Sequence, residues 1–191
     1  QGLDSFNKFF IQSKKQELVN YLKLTTIAVE HYAQQSHLSE LEQQTRAKEL
    51  VNNLLYGKEG YFFLYEFDGT NLVLPPLPHL VGSNLWMQRD SNGQLLVQEL
   101  IKAAQEGGDF FQYRWPKPSN NADEEKISYA VQLDPWPWTL GTGVYVDDTK
   151  VVSEAFISEL RHSTKKTTTL ILAVTLSSLV LVAWIGFAIN L

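Results

Sequence analysis

The chain lacks cysteine altogether and has one methionine, Met87, among its 191 residues. Without cysteine it can form no disulfide, no thiolate metal site and no thiol nucleophile. It also has little positive charge: 16 lysines and arginines stand against 21 aspartates and glutamates, and the net charge is −5. The basic residues cluster only as short lysine pairs, so we expect no nucleic-acid surface.

Metal and cofactor motifs are also missing. Gly141-Thr142-Gly143 lacks the third glycine and the strand-to-helix setting of a dinucleotide loop, and better suits a strand passing close to another backbone. The histidines have no metal-site spacing: they are His31, His37, His79 and His162. We therefore expect no metal and no cofactor, and a protein that binds its ligand without catalysis.

The C-terminal segment carries the longest apolar run of the chain. Residues 167–191 have no charged side chain, and about 20 apolar residues in a helix can cross a bilayer core. The sequence therefore predicts a domain over residues 1–163 and a transmembrane helix over residues 164–191. Because the chain starts at Gln1 with its only methionine at position 87, we expect it to be a piece of a longer protein.

Charge leaves the orientation of this domain open. Lys165 and Lys166 flank the predicted span on the domain side, which by the positive-inside rule favours a cytoplasmic domain. The rule compares two flanks, however, and the second flank would lie beyond Leu191.

Helical periodicity dominates the first third of the domain. An apolar stripe predicts a long helix over residues 4–35, and a capping box of Ser39 and Glu42 opens a second helix over residues 39–56. The stripe of the first helix is Ile11, Leu18, Leu22, Val29 and Tyr32. The second helix is expected to bury Leu41, Leu50, Val51, Leu54 and Leu55.

Strands follow these two helices. Residues 60–67 and 70–74 flank the turn Asp68-Gly69, which predicts a β-hairpin, and a third helix is predicted over residues 94–105. Three further strands are predicted without intervening helices, over residues 109–115, 126–133 and 138–146. This order predicts an α+β fold with an antiparallel sheet, and a final helix that begins with Asp147-Asp148 as its cap.

Four segments together resemble the single Cache (sCache) domains of bacterial receptors. They are Gly60 to Phe63, Leu80 to Trp86, Tyr113 to Pro118 and Trp138 to Asp148. The resemblance implies a PAS-like fold in which a long N-terminal helix packs on an antiparallel sheet. It also implies an extracytoplasmic sensory domain at the inner membrane, in the periplasm, with another span before Gln1 and a homodimer of receptors.

The resemblance further implies a ligand such as acetate, propionate, pyruvate or lactate. Lys117, between Pro116 and Pro118, is the predicted cation for its carboxylate, because charge-assisted hydrogen bonds are about twice as strong as neutral ones. Aromatic side chains on the strands and the connector are the expected walls of the site. The predicted ligand-binding residues are Tyr65, Trp86, Tyr113, Trp115, Lys117 and Tyr129.

The favoured function is therefore the ligand-sensing domain of a chemotaxis transducer, which passes its signal through the transmembrane helix. A histidine kinase or a cyclic-dinucleotide enzyme could carry the same sensor domain. A tail-anchored adaptor that binds protein and an enzyme with a membrane tail remain the alternatives from other classes.

Overall fold

A six-stranded antiparallel sheet organises the first of two units, residues 1–150, in this computed structural model. The structure describes residues 2–134 and 136–189, and the side chains of residues 6–134, 136–148 and 154–179. The strands are β1 (Leu55–Tyr56), β2 (Gly60–Glu66), β3 (Asn71–Val73), β4 (Asp109–Pro116), β5 (Asp123–Leu133) and β6 (Trp138–Tyr145). Their order is β1-β2-β6-β5-β4, and β3 pairs with β2.

Four α-helices accompany the sheet in the described part of the chain. They are α1 (Gly2–Ala33), α2 (Glu40–Asn53), α3 (Leu96–Gln105) and α4 (Val146–Ile189), and a 3-10 turn spans Pro78–Leu80. Helices α1 and α2 pack on one face of the sheet, and α3 packs on the other. The α+β prediction is confirmed, as is the packing of the long N-terminal helix on an antiparallel sheet.

The helix predictions hold best where the apolar stripe meets the sheet. Leu18, Leu22 and Val29 of α1 are fully buried. Ser39 caps α2, where its hydroxyl accepts from the Glu42 amide while the Glu42 carboxylate accepts from the Ser39 amide. The expected burial of Leu41 and Leu55 was wrong, since they are 72% and 67% exposed. The buried face of α2 is narrow, and Leu55 lies beyond its end.

The opposite face of the sheet carries the more aromatic of two cores. Leu96, Leu100 and Ile101 of α3 lie over side chains of the sheet and are 1–2% exposed. The sheet residues of this core alternate along their strands with those that face α1 and α2. They are Tyr61, Phe63, Tyr65, Tyr113, Trp115 and Ala130.

The turn after β2 fixes the connector that follows the hairpin. Gly69 has φ of +91°, and a Cβ atom there would lie 2.9 Å from the backbone of Trp86. Only glycine allows this conformation and this close approach. The Leu85 amide donates to the Gly69 carbonyl, and Gln98 of α3 donates to the Trp86 carbonyl. These contacts hold the connector beside α3.

Helix α4 follows β6 without an intervening loop and continues into the second unit, residues 151–191. Within the described residues, no helix has both the length and the apolar character that a membrane crossing requires. The predicted span over residues 164–191 lies partly outside the description, because the side chains of residues 180–191 are not among those described.

Candidate functional site

Lys126 lies on β5, between β6 and β4, and its side chain enters the aromatic core. It is directly opposite Tyr113 on β4 and Tyr145 on β6. The side chain is fully buried, and its Nζ has no hydrogen-bond partner among the described residues. A buried ammonium normally has a counter-ion or hydrogen-bond acceptors, and the described chain supplies neither to Lys126 Nζ.

Aromatic rings are the neighbours that Lys126 does have. Its Nζ lies 3.8 Å from the ring centre of Tyr61, 5.3 Å from that of Tyr145 and 5.7 Å from that of Phe63. A cation–π contact is worth about 0.5–2 kcal/mol, whereas removing an ammonium from water costs several kcal/mol. Burial accordingly places the pKa of Lys126 well below its ordinary value.

The tyrosines around Lys126 provide hydroxyl donors. The Tyr61 hydroxyl has no hydrogen-bond partner within the described residues, while that of Tyr113 lies 3.0 Å from Ser128 Oγ. Burial raises the pKa of Tyr61 and the pKa of Tyr113 above the ordinary value for a phenol. Both phenols therefore remain neutral near pH 7 and can donate to an anion.

Two glycines of β6 make room for these side chains. A Cβ atom at Gly143 would lie 2.9 Å from Lys126 Cε and still closer to Ser128 Oγ, and one at Gly141 would collide with the Phe63 ring. Gly141-Thr142-Gly143 thus leaves the inner face of β6 open where the lysine crosses it. The expectation of a close approach is confirmed, although side chains as well as backbone approach the glycines.

Three of the predicted ligand residues lie in the same aromatic core. Tyr65, Tyr113 and Trp115 are 2%, 4% and 7% exposed. The Tyr65 ring packs against Phe63 at 5.6 Å between ring centres, and the Trp115 ring against Tyr113 at 6.4 Å. Their ring partners include Phe63 and Tyr113, which lie beside Lys126, so the three belong to the same packed cluster as the lysine.

Two other predicted residues do not join this group. Trp86 is 37% exposed in the connector, where its backbone rather than its ring makes the described hydrogen bonds. Tyr129 lies on the opposite face of the sheet, with its ring centre 4.7 Å from that of Phe110 and packed against the core under α1 and α2. Alternation along β5 puts Tyr129 and Lys126 on different faces.

Lys117 is buried, but its charge already has partners. Its Nζ donates to Asp147 Oδ2 at 2.7 Å and to Asp148 Oδ1 at 2.6 Å. Both aspartates belong to the first turn of α4. Burial alone would lower the pKa of Lys117, yet the two carboxylates outweigh it and the pKa lies above its ordinary value.

Sequence reasoning missed Lys126 and Tyr145, and it grouped Tyr61 with Tyr65 on one strand face without predicting Tyr61 as a ligand residue. Along β5 the apolar residues Ile127 and Val131 mark one face as core, which by alternation assigns Lys126 to solvent. The sequence did hold a sign that this second face of β5 is unusual: Lys126 shares it with the small residues Ser128 and Ala130.

These residues define a class of site: a buried cation with phenol donors and aromatic walls, on the inner face of a PAS-like sheet. A cation with neutral phenol donors has the chemistry to pair with one small anionic group. Charge-assisted hydrogen bonds in such a dry environment are strong and short.

Residues 10–159 match the family model of the single Cache domain 2 (sCache_2), and the chain belongs to this family. The chain is also 32% identical to the sensor histidine kinase MctS of Rhizobium johnstonii over 181 residues. That match covers 95% of this chain and 39% of the kinase. The chain therefore spans about two fifths of this curated relative.

Solved structures share the fold. A methyl-accepting chemotaxis protein from Vibrio parahaemolyticus superposes with a TM-score of 0.70 at 33% identity, covering 78% of this chain and 99% of that one. A Cache chemosensory domain studied for carboxylic acid recognition superposes with a TM-score of 0.68 at 24% identity, covering 73% of this chain and 97% of that one. The relatives are sensory receptors, and this chain is a Cache sensor domain of the kind found in chemotaxis receptors and histidine kinases.

Proposed function

We propose that this chain is the extracytoplasmic ligand-sensing domain of a bacterial signal-transducing receptor, and that it binds a small organic monocarboxylate at Lys126. The observation that carries the proposal is the buried Lys126 ammonium, which has rings around it and no hydrogen-bond partner within the described chain. The domain binds this acid and does not transform it.

The chemistry of the site favours a carboxylate over other ligands. One carboxylate would give Lys126 its counter-ion and accept from the unpartnered Tyr61 hydroxyl. The aromatic walls suit a methyl, ethyl or keto remainder of two or three carbons, as in acetate, propionate, pyruvate and lactate. Carboxylic acid recognition by a domain of the same fold supports this choice.

We assign Lys126, and not Lys117, as the cation that pairs with the carboxylate of the ligand. Asp147 and Asp148 already accept from Lys117, whereas Lys126 Nζ has no hydrogen-bond partner within the described chain. Tyr65, Tyr113 and Trp115 stay in the proposal as walls. Trp86 belongs to the connector that lies beside α3, and Tyr129 contributes to the core on the other face.

We further propose an inner-membrane receptor with this domain in the periplasm and α4 leading into the membrane. The absence of charge over residues 167–191 supports a span there. Large apolar side chains of the described part of α4, such as Leu170, Leu172 and Leu176, are 63–68% exposed, as lipid contact would require. Exposed apolar residues of α1, Leu24 and Ile27, support a homodimer through this helix.

Isothermal titration of the 191-residue chain in detergent tests the ligand assignment. We expect acetate, propionate, pyruvate or lactate to bind with one site per chain. The Lys126→Met variant should bind at least about 100-fold more weakly, because removing one member of a buried ion pair costs about 3–5 kcal/mol. Lys102→Met is the matched control, since Lys102 is exposed on α3.

Unfolding does not explain a loss of binding in this variant. Methionine matches the length of the lysine stem and removes a buried ammonium, so the empty Lys126→Met domain should be at least as stable as the parent. Equal affinity in the parent and the Lys126→Met variant would contradict the proposal.

Chemotaxis is the favoured output, and a histidine kinase is the second candidate. The kinase MctS aligns with 95% of this chain, which favours a kinase. The solved structure of the chemotaxis protein matches this chain over 99% of its own length, which favours a chemotaxis transducer. The coding sequence that follows position 191 decides between them: a methyl-accepting coiled coil indicates a chemotaxis transducer, and a dimerisation and ATP-binding region indicates a kinase.

A further inference from the structure

The Lys117 ion pair joins the ligand strand β4 to the first turn of α4. Lys117 follows β4 between Pro116 and Pro118, whose fixed φ angles restrict the local backbone. Its side chain is 7% exposed, against 38% for Asp147 and 49% for Asp148. A buried lysine thus reaches toward the surface to hold two carboxylates that lie 30 and 31 residues further along the chain.

Tyr145 lies against both lysines. Its ring centre is 5.3 Å from Lys126 Nζ and 5.7 Å from Lys117 Nζ. Its hydroxyl donates to the Pro116 carbonyl at 2.7 Å, directly before Lys117. Tyr145 is 1% exposed, so it has little room to move independently of these neighbours.

These contacts give a short physical route from the site to α4. An anion at Lys126 changes the charge and the packing next to the Tyr145 ring. Tyr145 is covalently followed by Val146, the first residue of α4, and holds the segment that carries Lys117. Both the backbone and the ion pair therefore place the effect of the ligand at Asp147 and Asp148.

We propose that Lys117, Asp147 and Asp148 form a coupling contact, through which anion binding at Lys126 is transmitted to the start of α4. Lys117 is a positioning residue in this account and does not touch the ligand. The inference rests on the proposed function, because it requires an anion at Lys126. A ligand shifts such an equilibrium only by binding one arrangement more tightly than the other, and the bound anion favours the closed ion pair.

Hydrogen exchange of the first turn of α4, measured with and without acetate, tests the coupling on the 191-residue chain in detergent. In the parent chain, acetate should slow the exchange of the peptide that includes residues 146–150. The Lys117→Met variant should bind acetate no more than about threefold more weakly, because its methionine is not in the anion site and only the reciprocal effect of the lost ion pair remains. Acetate should then no longer change exchange at the start of α4.

Two further variants separate coupling from a loss of structure. Lys117→Arg keeps the charge and should restore the effect of acetate on exchange. The double variant Asp147→Asn with Asp148→Asn removes the carboxylates of the ion pair and should abolish that effect. Exchange in the α2 peptide reports the fold and should be the same in all of these chains.

The affinity and the exchange report on different claims. A tenfold or greater loss of acetate affinity in Lys117→Met would overturn the inference, because Lys117 would then be a ligand contact. An undiminished exchange response in that variant would also overturn it. Absence of any response in a parent chain that binds acetate would overturn the coupling alone, and absence of binding of all four acids would overturn the proposed function together with it.

Discussion

Lys126 and Tyr145 face each other across β5 and β6, and the lysine Nζ lies 5.3 Å from the centre of the tyrosine ring. This pair links the proposed anion site to the start of α4. In our proposal Lys126 provides the charge for a ligand, and Tyr145 is followed directly by the first residue of α4. Burial without a partner in the described chain disfavours the charged form of Lys126 in the empty protein, and a bound carboxylate would favour that form.

Acetate affinity should fall as the pH rises. Burial lowers the pKa of Lys126, so above that lowered pKa the empty site holds a neutral amine that must gain a proton to pair with the anion. The facing groups Tyr61, Tyr113 and Tyr145 all have raised pKa values and stay neutral, and Asp147 and Asp148 are paired with Lys117.

Titration calorimetry between pH 6 and pH 9, in buffers of different ionisation enthalpy, measures this linkage. Above the lowered pKa of Lys126, the logarithm of the association constant should fall as the pH rises, and up to one proton should be taken up per acetate. A constant affinity with no proton uptake would show that Lys126 is charged in the empty site.

The empty domain should become more stable over the same pH window. The folded pKa of Lys126 is lowered, so the unfolded chain binds more protons than the folded chain between that pKa and the ordinary lysine value of about 10.4. The free energy of unfolding therefore rises with pH there. Urea unfolding of the parent and of Lys126→Met should differ in slope against pH, and identical slopes would refute the prediction.

Tyr61→Phe should weaken acetate binding about tenfold without destabilising the empty domain. The Tyr61 hydroxyl is buried without a partner in the described chain, so its removal leaves the empty core no worse and deprives the carboxylate of a donor. Tyr56→Phe is the matched control. The Tyr56 hydroxyl bonds to Thr142 and to the Gly143 carbonyl, so that variant should lose stability and keep its affinity per folded molecule.

Gly143→Ala should reduce both stability and acetate affinity. The new methyl group would meet Lys126 Cε at 2.9 Å and the Ile127 carbonyl oxygen at 2.6 Å, and would press on Ser128 Oγ; overpacking of this kind costs about 1–3 kcal/mol. In a Lys126→Ala background the same substitution should cost less, because one of the colliding atoms is gone. Equal costs in the two backgrounds, from urea unfolding, would mean that Gly143 does not make room for the lysine.

Ser39→Ala should cost about 0.5–2 kcal/mol of unfolding free energy and leave ligand affinity unchanged. Ser39 and Glu42 satisfy each other's backbone amides at the start of α2, on the face of the sheet away from Lys126. Urea unfolding combined with an acetate titration checks both expectations. A tenfold change in affinity would show that α2 communicates with the site.

The features that the sequence predicted are those encoded locally. The stripe of α1, the capping box at Ser39 and the hairpin turn at Gly69 each depend on a few neighbouring residues, and the structure has all three. Tyr113 and Trp115 were grouped together by strand alternation, which also needs no tertiary information.

The features that the sequence did not predict depend on pairing between distant elements. Lys126 was assigned no role because its burial requires α3 to cover the second face of the sheet. The expected helix cap at Asp147 and Asp148 did not include Lys117, which reaches them from the end of β4. Alternation alone could not decide that the face of Tyr129 lies under α1, away from Tyr113 and Trp115.

A crystal structure of this chain with propionate tests the central claim most directly. The account predicts a carboxylate oxygen within about 3 Å of Lys126 Nζ, an oxygen accepting from Tyr61, and the ethyl group among the aromatic rings. A carboxylate bound at Lys117, with Lys126 still lacking a hydrogen-bond partner, would contradict it.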